Sequence, residues 1–125
     1  MRHLSFLTII IMGLLERKSY DFALEVVRTA RELQARKEYT LSKQLLRSGT
    51  AIGALIAEGQ FAQSRADFVN KLQVALKEAN ETRYWIRLLR DSRYLETSEA
   101  EPLIRNNEAL IGMLVKSIKT SKARS

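Results

Sequence analysis

Three carboxylates, Glu58, Glu78 and Glu81, lie among apolar residues, and Arg47 stands just before a run of small side chains. Carboxylates in apolar surroundings can act as acid and base or hold a metal. The rest of the chain supplies no companions for either task. The one histidine is His3, there is no cysteine, and no His/Asp/Glu group has metal-ligand spacing. In a bundle, metal-binding carboxylates come with a Glu-x-x-His partner, which is absent here. Ser48 and Ser64 have no nearby base, and Gly49, Gly53 and Gly59 interrupt a helical pattern instead of following a strand, so they form no phosphate loop. The sequence therefore predicts no catalytic residue, cofactor, metal or small-molecule substrate. It predicts a structural role instead. With a turn pivoting near 62 to 63, antiparallel pairing sets Arg47 level with Glu78 and one turn from Glu81. A buried or half-buried ion pair follows, which adds little net stability, yet breaking it costs about 3–5 kcal/mol.

A second constellation is basic. Arg83, Arg87 and Arg90 fall at i, i+4, i+7 and share one stripe, with Arg93 nearby. Guanidinium forks suit phosphate, and Tyr84 and Tyr94 are placed to stack on bases. Lys116, Lys119, Lys122 and Arg124 make the chain's end basic as well. Two readings stand side by side. The stripe binds nucleic acid, or it is a solvated face with inter-subunit salt bridges. With only Asp91 and Glu96 near in sequence, the stripe is under-neutralised. For Lys116 and Lys119, favourable placement near a helix C-terminus is an equal alternative.

Composition bounds the rest. The 125 residues make one domain, with 46% apolar residues and one proline. Twenty-one Lys and Arg against 14 Asp and Glu give a net charge of +7, which attracts polyanions. The absence of cysteine rules out disulfides and fits a reducing, cytoplasmic setting.

These residues need elements to hold them. Residues 44–59 read as the most enclosed helix of an all-α protein. Each interior glycine costs a helix about 1 kcal/mol, but Gly49, Gly53 and Ala57 at i, i+4, i+8 form a smooth face that a second helix can approach closely. That face serves packing within the bundle or between subunits. Thr40 is placed to cap helix 2, which ends at Gly59, where a left-handed residue is easiest. Helix 1 runs from Ser19, read as its N-cap, to Glu38. Tyr20, Ala23, Leu24, Val27, Ala30 and Leu33 form its core stripe, widened by Phe22 and Val26. Ser64 with Asp67 opens helix 3, which buries Phe68, Leu72, Ala75, Ala79, Ile86 and Leu89 and ends near Arg93. Ser98 with Glu101 and Pro102 starts helix 4 between 98 and 102. Short connections give an antiparallel up-down-up-down four-helix bundle over residues 17–120, with a basic tail at 121–125.

Residues 1–16 are an apolar extension. Twelve near-apolar residues at 4–15 fall short of the roughly 20 needed to cross a bilayer, which argues against a membrane partner. Three readings compete: packing on the body or a neighbouring subunit, a weak surface anchor, or an upstream start with Met12 as the true beginning.

The run Gln44-Leu-Leu-Arg-Ser-Gly-Thr-Ala-Ile-Gly-Ala-Leu-Ile-Ala-Glu-Gly59, followed by Ser64-Arg-Ala-Asp-Phe68, Lys71-Leu, Ala75-Leu-Lys-Glu-Ala79 and Glu81-Thr-Arg-Tyr-Trp85, closely resembles the bacterial four helix bundle proteins encoded in intervening sequences of 23S ribosomal RNA genes. Ser19-Tyr-Asp-Phe-Ala-Leu24 is similar to their first helix. The resemblance covers about residues 17–120. It implies an antiparallel bundle that assembles into a ring, typically a homopentamer, with no known enzymatic activity. A related branch, the accessory variability protein of diversity-generating retroelements, is a basic pentamer that binds nucleic acid. Leu55 stands where the family very often has Asn, and residues 1–15 have no counterpart in its usual start. Two functions are carried forward: a non-enzymatic homo-oligomer binding RNA or DNA as an accessory factor, and a protein-interaction scaffold whose charge is incidental.

Overall fold

The computed structural model describes residues 6–123, and within them four helices follow one another with no strand: α1 (Phe6–Ala35), α2 (Thr40–Gly59), α3 (Arg65–Asp91) and α4 (Thr97–Ala123). The helices alternate in direction. α1 packs on α2 and α4, and α3 packs on α2 and α4, so each helix touches two neighbours and none crosses the diagonal. This is the antiparallel bundle predicted from the sequence. Its axis is filled by Phe22, Leu33, Leu45, Ile52, Phe68, Leu72, Ile86 and Leu110, all essentially without exposure. The α3 face from Phe68 to Leu89 is buried as the 3.6-residue period requires.

The first helix departs from expectation. It begins at Phe6, so Ser19 is not its cap but lies mid-helix, fully buried, its hydroxyl donating to the Glu16 carbonyl at 3.0 Å. The buried line is Met12, Leu15, Ser19, Phe22, Val26, Ala30 and Leu33. Tyr20 and Leu24 point outward, 65% and 43% exposed. Residues Phe6 to Glu16 thus continue helix 1 instead of standing apart from it.

The small-residue face of α2 is used inside the bundle. A Cβ at Gly49 would lie 2.8 Å from both Val26 methyls, and one at Gly53 would lie 3.3 Å from the Ser19 carbonyl oxygen. Ala57, one turn on, is half-buried. Ser19 is small because Gly53 crosses there.

Helix ends also differ in chemistry. The carboxylate of Glu38 caps α2, accepting from the Leu41 and Ser42 amides at 3.2 and 2.7 Å, while Thr40 sits inside the helix. Gly59 is not left-handed. That conformation falls to Lys37 and Arg93, at φ 70° and 69°. The Glu38 amide reaches the Leu33 carbonyl and the Tyr94 amide the Leu89 carbonyl, both at 2.9 Å. These bonds close Schellman ends on α1 and α3 without glycine. Ser64 caps α3 as expected, accepting from the Asp67 amide at 3.0 Å. α4 starts at Thr97, with Glu99 reaching back to the Glu96 amide at 2.9 Å. The start lies just ahead of the expected window, and Glu99 does what Glu101 was expected to do.

Candidate nucleic-acid interface

The basic candidates lie on α3 and α4, but the structure does not gather them into one patch. α3 climbs from the end holding the α2–α3 turn, so Arg83, Arg87, Arg90 and Arg93 sit toward the α3–α4 turn. Lys116, Lys119 and Lys122 sit at the opposite end, where α4 finishes, and Arg124 lies outside the described residues. On the α3–α4 seam between them, the Arg83 guanidinium meets Glu108 at 2.8 Å and the Asn80 side-chain oxygen at 3.0 Å.

The stripe is therefore less under-neutralised than sequence proximity implied. Arg83 finds its acid across the groove on α4, and Arg90 meets Asp91 at 2.9 Å. The Arg90 hydrogen bond holds the Asp91 carboxyl below its usual range against a small desolvation penalty, helped by the charges of Arg90 and Arg87. Arg87 and Arg93 are exposed and make no close ion pair among the described residues. Arg87 shares the outward face of α3 with Lys77, Asn80 and Tyr84, three and four residues apart. Tyr84 is 57% exposed and held edge-on to Trp85, with ring centroids 5.0 Å apart. A fixed, exposed aromatic one turn from an exposed guanidinium suits base stacking and phosphate contact.

Arg36, at the end of α1, braces the arginine-bearing turn. Its guanidinium donates to the Tyr94 carbonyl at 2.9 Å and to Glu99 at 3.2 Å. The Glu99 carboxyl is held low first by the Glu96 amide and then by Arg36, with desolvation opposing. This brace fixes the loop that carries Arg93 and Tyr94.

On the other flank of α3, Arg47 bridges two turns. It meets Glu78 at 3.2 Å and bonds Glu81, which also accepts from the Trp85 indole at 3.2 Å. Desolvation acts to lower the Arg47 pKa, but the two carboxylates outweigh it and raise it. The arginine side chain is 51% exposed and that of Glu78 only 16%. Water screening at that exposure removes much of the penalty expected of a buried pair. Arg47→Ala should accordingly cost about 1–2 kcal/mol, below the 3–5 expected for full burial. A double-mutant cycle with Glu78→Ala in urea unfolding checks this, and strict additivity would show that the contact contributes nothing.

Sequence reading missed the polar interior. Asn107 is fully buried, and its amide nitrogen donates to the Ala79 carbonyl at 2.9 Å. The Thr82 hydroxyl lies 2.9 Å from that of Ser48. No group of three or more potential metal ligands occurs among the described residues.

Fold and side chains together define a basic antiparallel four-helix bundle with a buried polar layer and exposed cations toward both ends of the α3–α4 pair. The chain belongs to the 23S rRNA-intervening sequence protein family, whose model matches residues 15–116. It is also similar to a crystal structure of a protein of unknown function from the S23 ribosomal protein family from Bacteroides thetaiotaomicron VPI-5482. The two share 44% identity and a TM-score of 0.85, over 87% of this chain and 98% of that one. Among functionally curated proteins none matches.

Proposed function

We propose that the protein is a non-enzymatic homo-oligomer, a pentamer by its family resemblance, that binds RNA or DNA through its basic surface as an accessory factor. The observation that carries this reading is a set of exposed cations that make no close ion pair among the described residues: Arg87 and Arg93 toward the α3–α4 turn, and Lys116, Lys119 and Lys122 toward the end of α4. Tyr20 and Leu24, outward on α1, supply apolar area for contact between copies.

Such a surface binds phosphate by counterion release, so affinity falls steeply with salt. Fluorescence anisotropy with a short structured RNA should show this fall between low and physiological salt. Replacing Arg87 and Arg93 together by Ala should lower the slope of log K against log salt by roughly 1.5–2. Light scattering in the same buffers gives the mass. RNA binding that is absent at low salt, with protein partners that persist after nuclease treatment, would move the assignment to the scaffold reading.

A further inference from the structure

One end of the bundle gathers the start of α1, the α2–α3 turn and the finish of α4. It also carries much of the exposed apolar side-chain surface. Phe6 is 80% exposed, Leu7 66%, and Ile10 50%. Phe61, in the α2–α3 turn and 55 positions away in sequence, is 87% exposed at the same end. The apolar character therefore belongs to the end of the fold, not to α1 alone. Between α1 and α4 a cleft of about 360 Å³ opens there, lined in part by Ile11, Met12, Phe68 and Met113, with Lys116 beside it. The Ser117 hydroxyl on its wall has no hydrogen-bond partner.

Charge surrounds this surface. From 109 to 123, α4 holds Lys116, Lys119 and Lys122 and no acid, and Arg17 and Lys18 follow the apolar turns of α1. The acids nearest this end are Glu16, Glu58 and Asp67. Glu58 is engaged by Lys71 at 3.5 Å, and Asp67 is used to close the start of α3. The rim is thus net positive.

We propose that this end docks on the surface of an anionic lipid bilayer, with Phe6, Ile10 and Phe61 entering the acyl boundary and Lys116, Lys119 and Lys122 resting on the headgroups. No helix is long and apolar enough to cross a membrane among the described residues, so attachment is superficial. The exposed stretch from Phe6 to Ile10 rises about 6 Å, within the roughly 5–10 Å to which interfacial helices enter the headgroup and acyl boundary, while Met12 and Leu15 stay in the core. Apolar side chains within a lysine rim are the pattern of interfacial binding to anionic lipid. A second copy on the same end would bring the lysine clusters face to face, and that repulsion disfavours it.

Co-sedimentation of the full chain with phosphatidylcholine/phosphatidylglycerol vesicles tests the proposal, with pure phosphatidylcholine vesicles as control. The anionic vesicles should pellet the protein, the neutral ones much less. Combined Phe6→Ser, Ile10→Ser and Phe61→Ser should weaken partition by about tenfold or more while leaving the melting temperature and RNA affinity in place. Phe61→Trp should be quenched by brominated acyl chains, whereas native Trp85, near the other end of α3, should not. A wild-type chain that stays in the supernatant at low salt would overturn the proposal. So would a triple serine variant that pellets as well as wild type. A triple variant of smaller solution mass, without vesicle binding by either protein, would assign the end to self-association instead. RNA affinity is read separately, so a failure here does not bear on the nucleic-acid reading.

Discussion

Asn107→Asp is expected to lower the unfolding free energy by about 3–5 kcal/mol at pH 7, and by much less at pH 4. Asn107 is fully buried on α4, and its amide donates to the carbonyl of Ala79 on α3. Its own oxygen has no partner. An aspartate would set an anionic oxygen against a carbonyl oxygen in a dry site. Only the protonated acid can donate there. Burial and the facing carbonyl both favour the neutral form, so the folded-state pKa of this carboxyl lies above its unfolded value. The penalty is complete above the folded pKa. It shrinks as pH falls through that pKa and vanishes below the unfolded one. The deficit against wild type therefore narrows on acidification. Urea unfolding of both proteins from pH 4 to pH 8 measures it, and a deficit of constant size would mean that water or a cation reaches the site. Asn107→Leu, similar in volume, should stay within about 1 kcal/mol of wild type, because it removes an unpaired oxygen along with one hydrogen bond.

The polar interior bears on how the helices find their register. Ala79 and Thr82 are neighbouring residues on the inner face of α3. One receives Asn107 from α4, and the other meets Ser48 from α2. Three helices are thus tied at one level. A slip of one turn would leave Asn107 or Ser48 opposite aliphatic side chains, with a buried amide or hydroxyl unpaired. The apolar layers above and below, built of Leu, Ile and Ala, would accept such a slip at little cost. Polar residues in a bundle core serve specificity in this way more than they add stability.

Much of this architecture is legible in the chain because its helices are long and amphipathic. α2 ends at the predicted Gly59 and starts within one residue of the predicted cap, the inner face of α3 follows its period, and Arg47 stands level with Glu78 because one pivot fixes an antiparallel register. The misreadings have physical causes. Between Tyr20 and Val27, apolar residues stand on adjacent faces of α1, so periodicity could not choose between the Tyr20–Leu24 line and the buried Phe22–Val26 line. The true line passes through Ser19, a polar residue admitted for its size where Gly53 crosses. Glu38 caps α2 from outside the helix, with a side chain longer than those that usually signal a cap. The neutralisation of Arg83 by Glu108 spans two helices and has no local signature. Asn106 and Asn107 look alike in sequence, yet Asn106 is exposed and bonds Glu25 at 2.7 Å while Asn107 is buried. At the candidate interface, proximity in sequence overstated how free the arginines are, because Arg83 and Arg90 each meet an acid.

Gly49→Val should destabilise the bundle by about 3 kcal/mol, lowering the melting temperature by roughly 10 °C. The added Cβ would stand 2.8 Å from both methyls of Val26, which is itself fully buried. A helical valine is nearly confined to one rotamer, so those methyls cannot swing aside. The helices must part or tilt instead, loosening Leu45 and Ile52 on the same helix. Helix propensity recovers only a few tenths of a kcal/mol on replacing Gly by Val. Gly13 and Gly112 have nothing within 4 Å of a built Cβ. Alanine at either should stabilise by up to about 1 kcal/mol through propensity alone. The opposite sign at chemically identical positions separates packing from propensity. Exchanging the pair, Gly49→Val with Val26→Gly, conserves the local volume and should recover more than half of the loss. Thermal melts of these variants, with light scattering alongside, give the reading. A Gly49→Val protein that melts like wild type but loses mass would place the glycine face between subunits, against the α1–α2 crossing seen in the bundle.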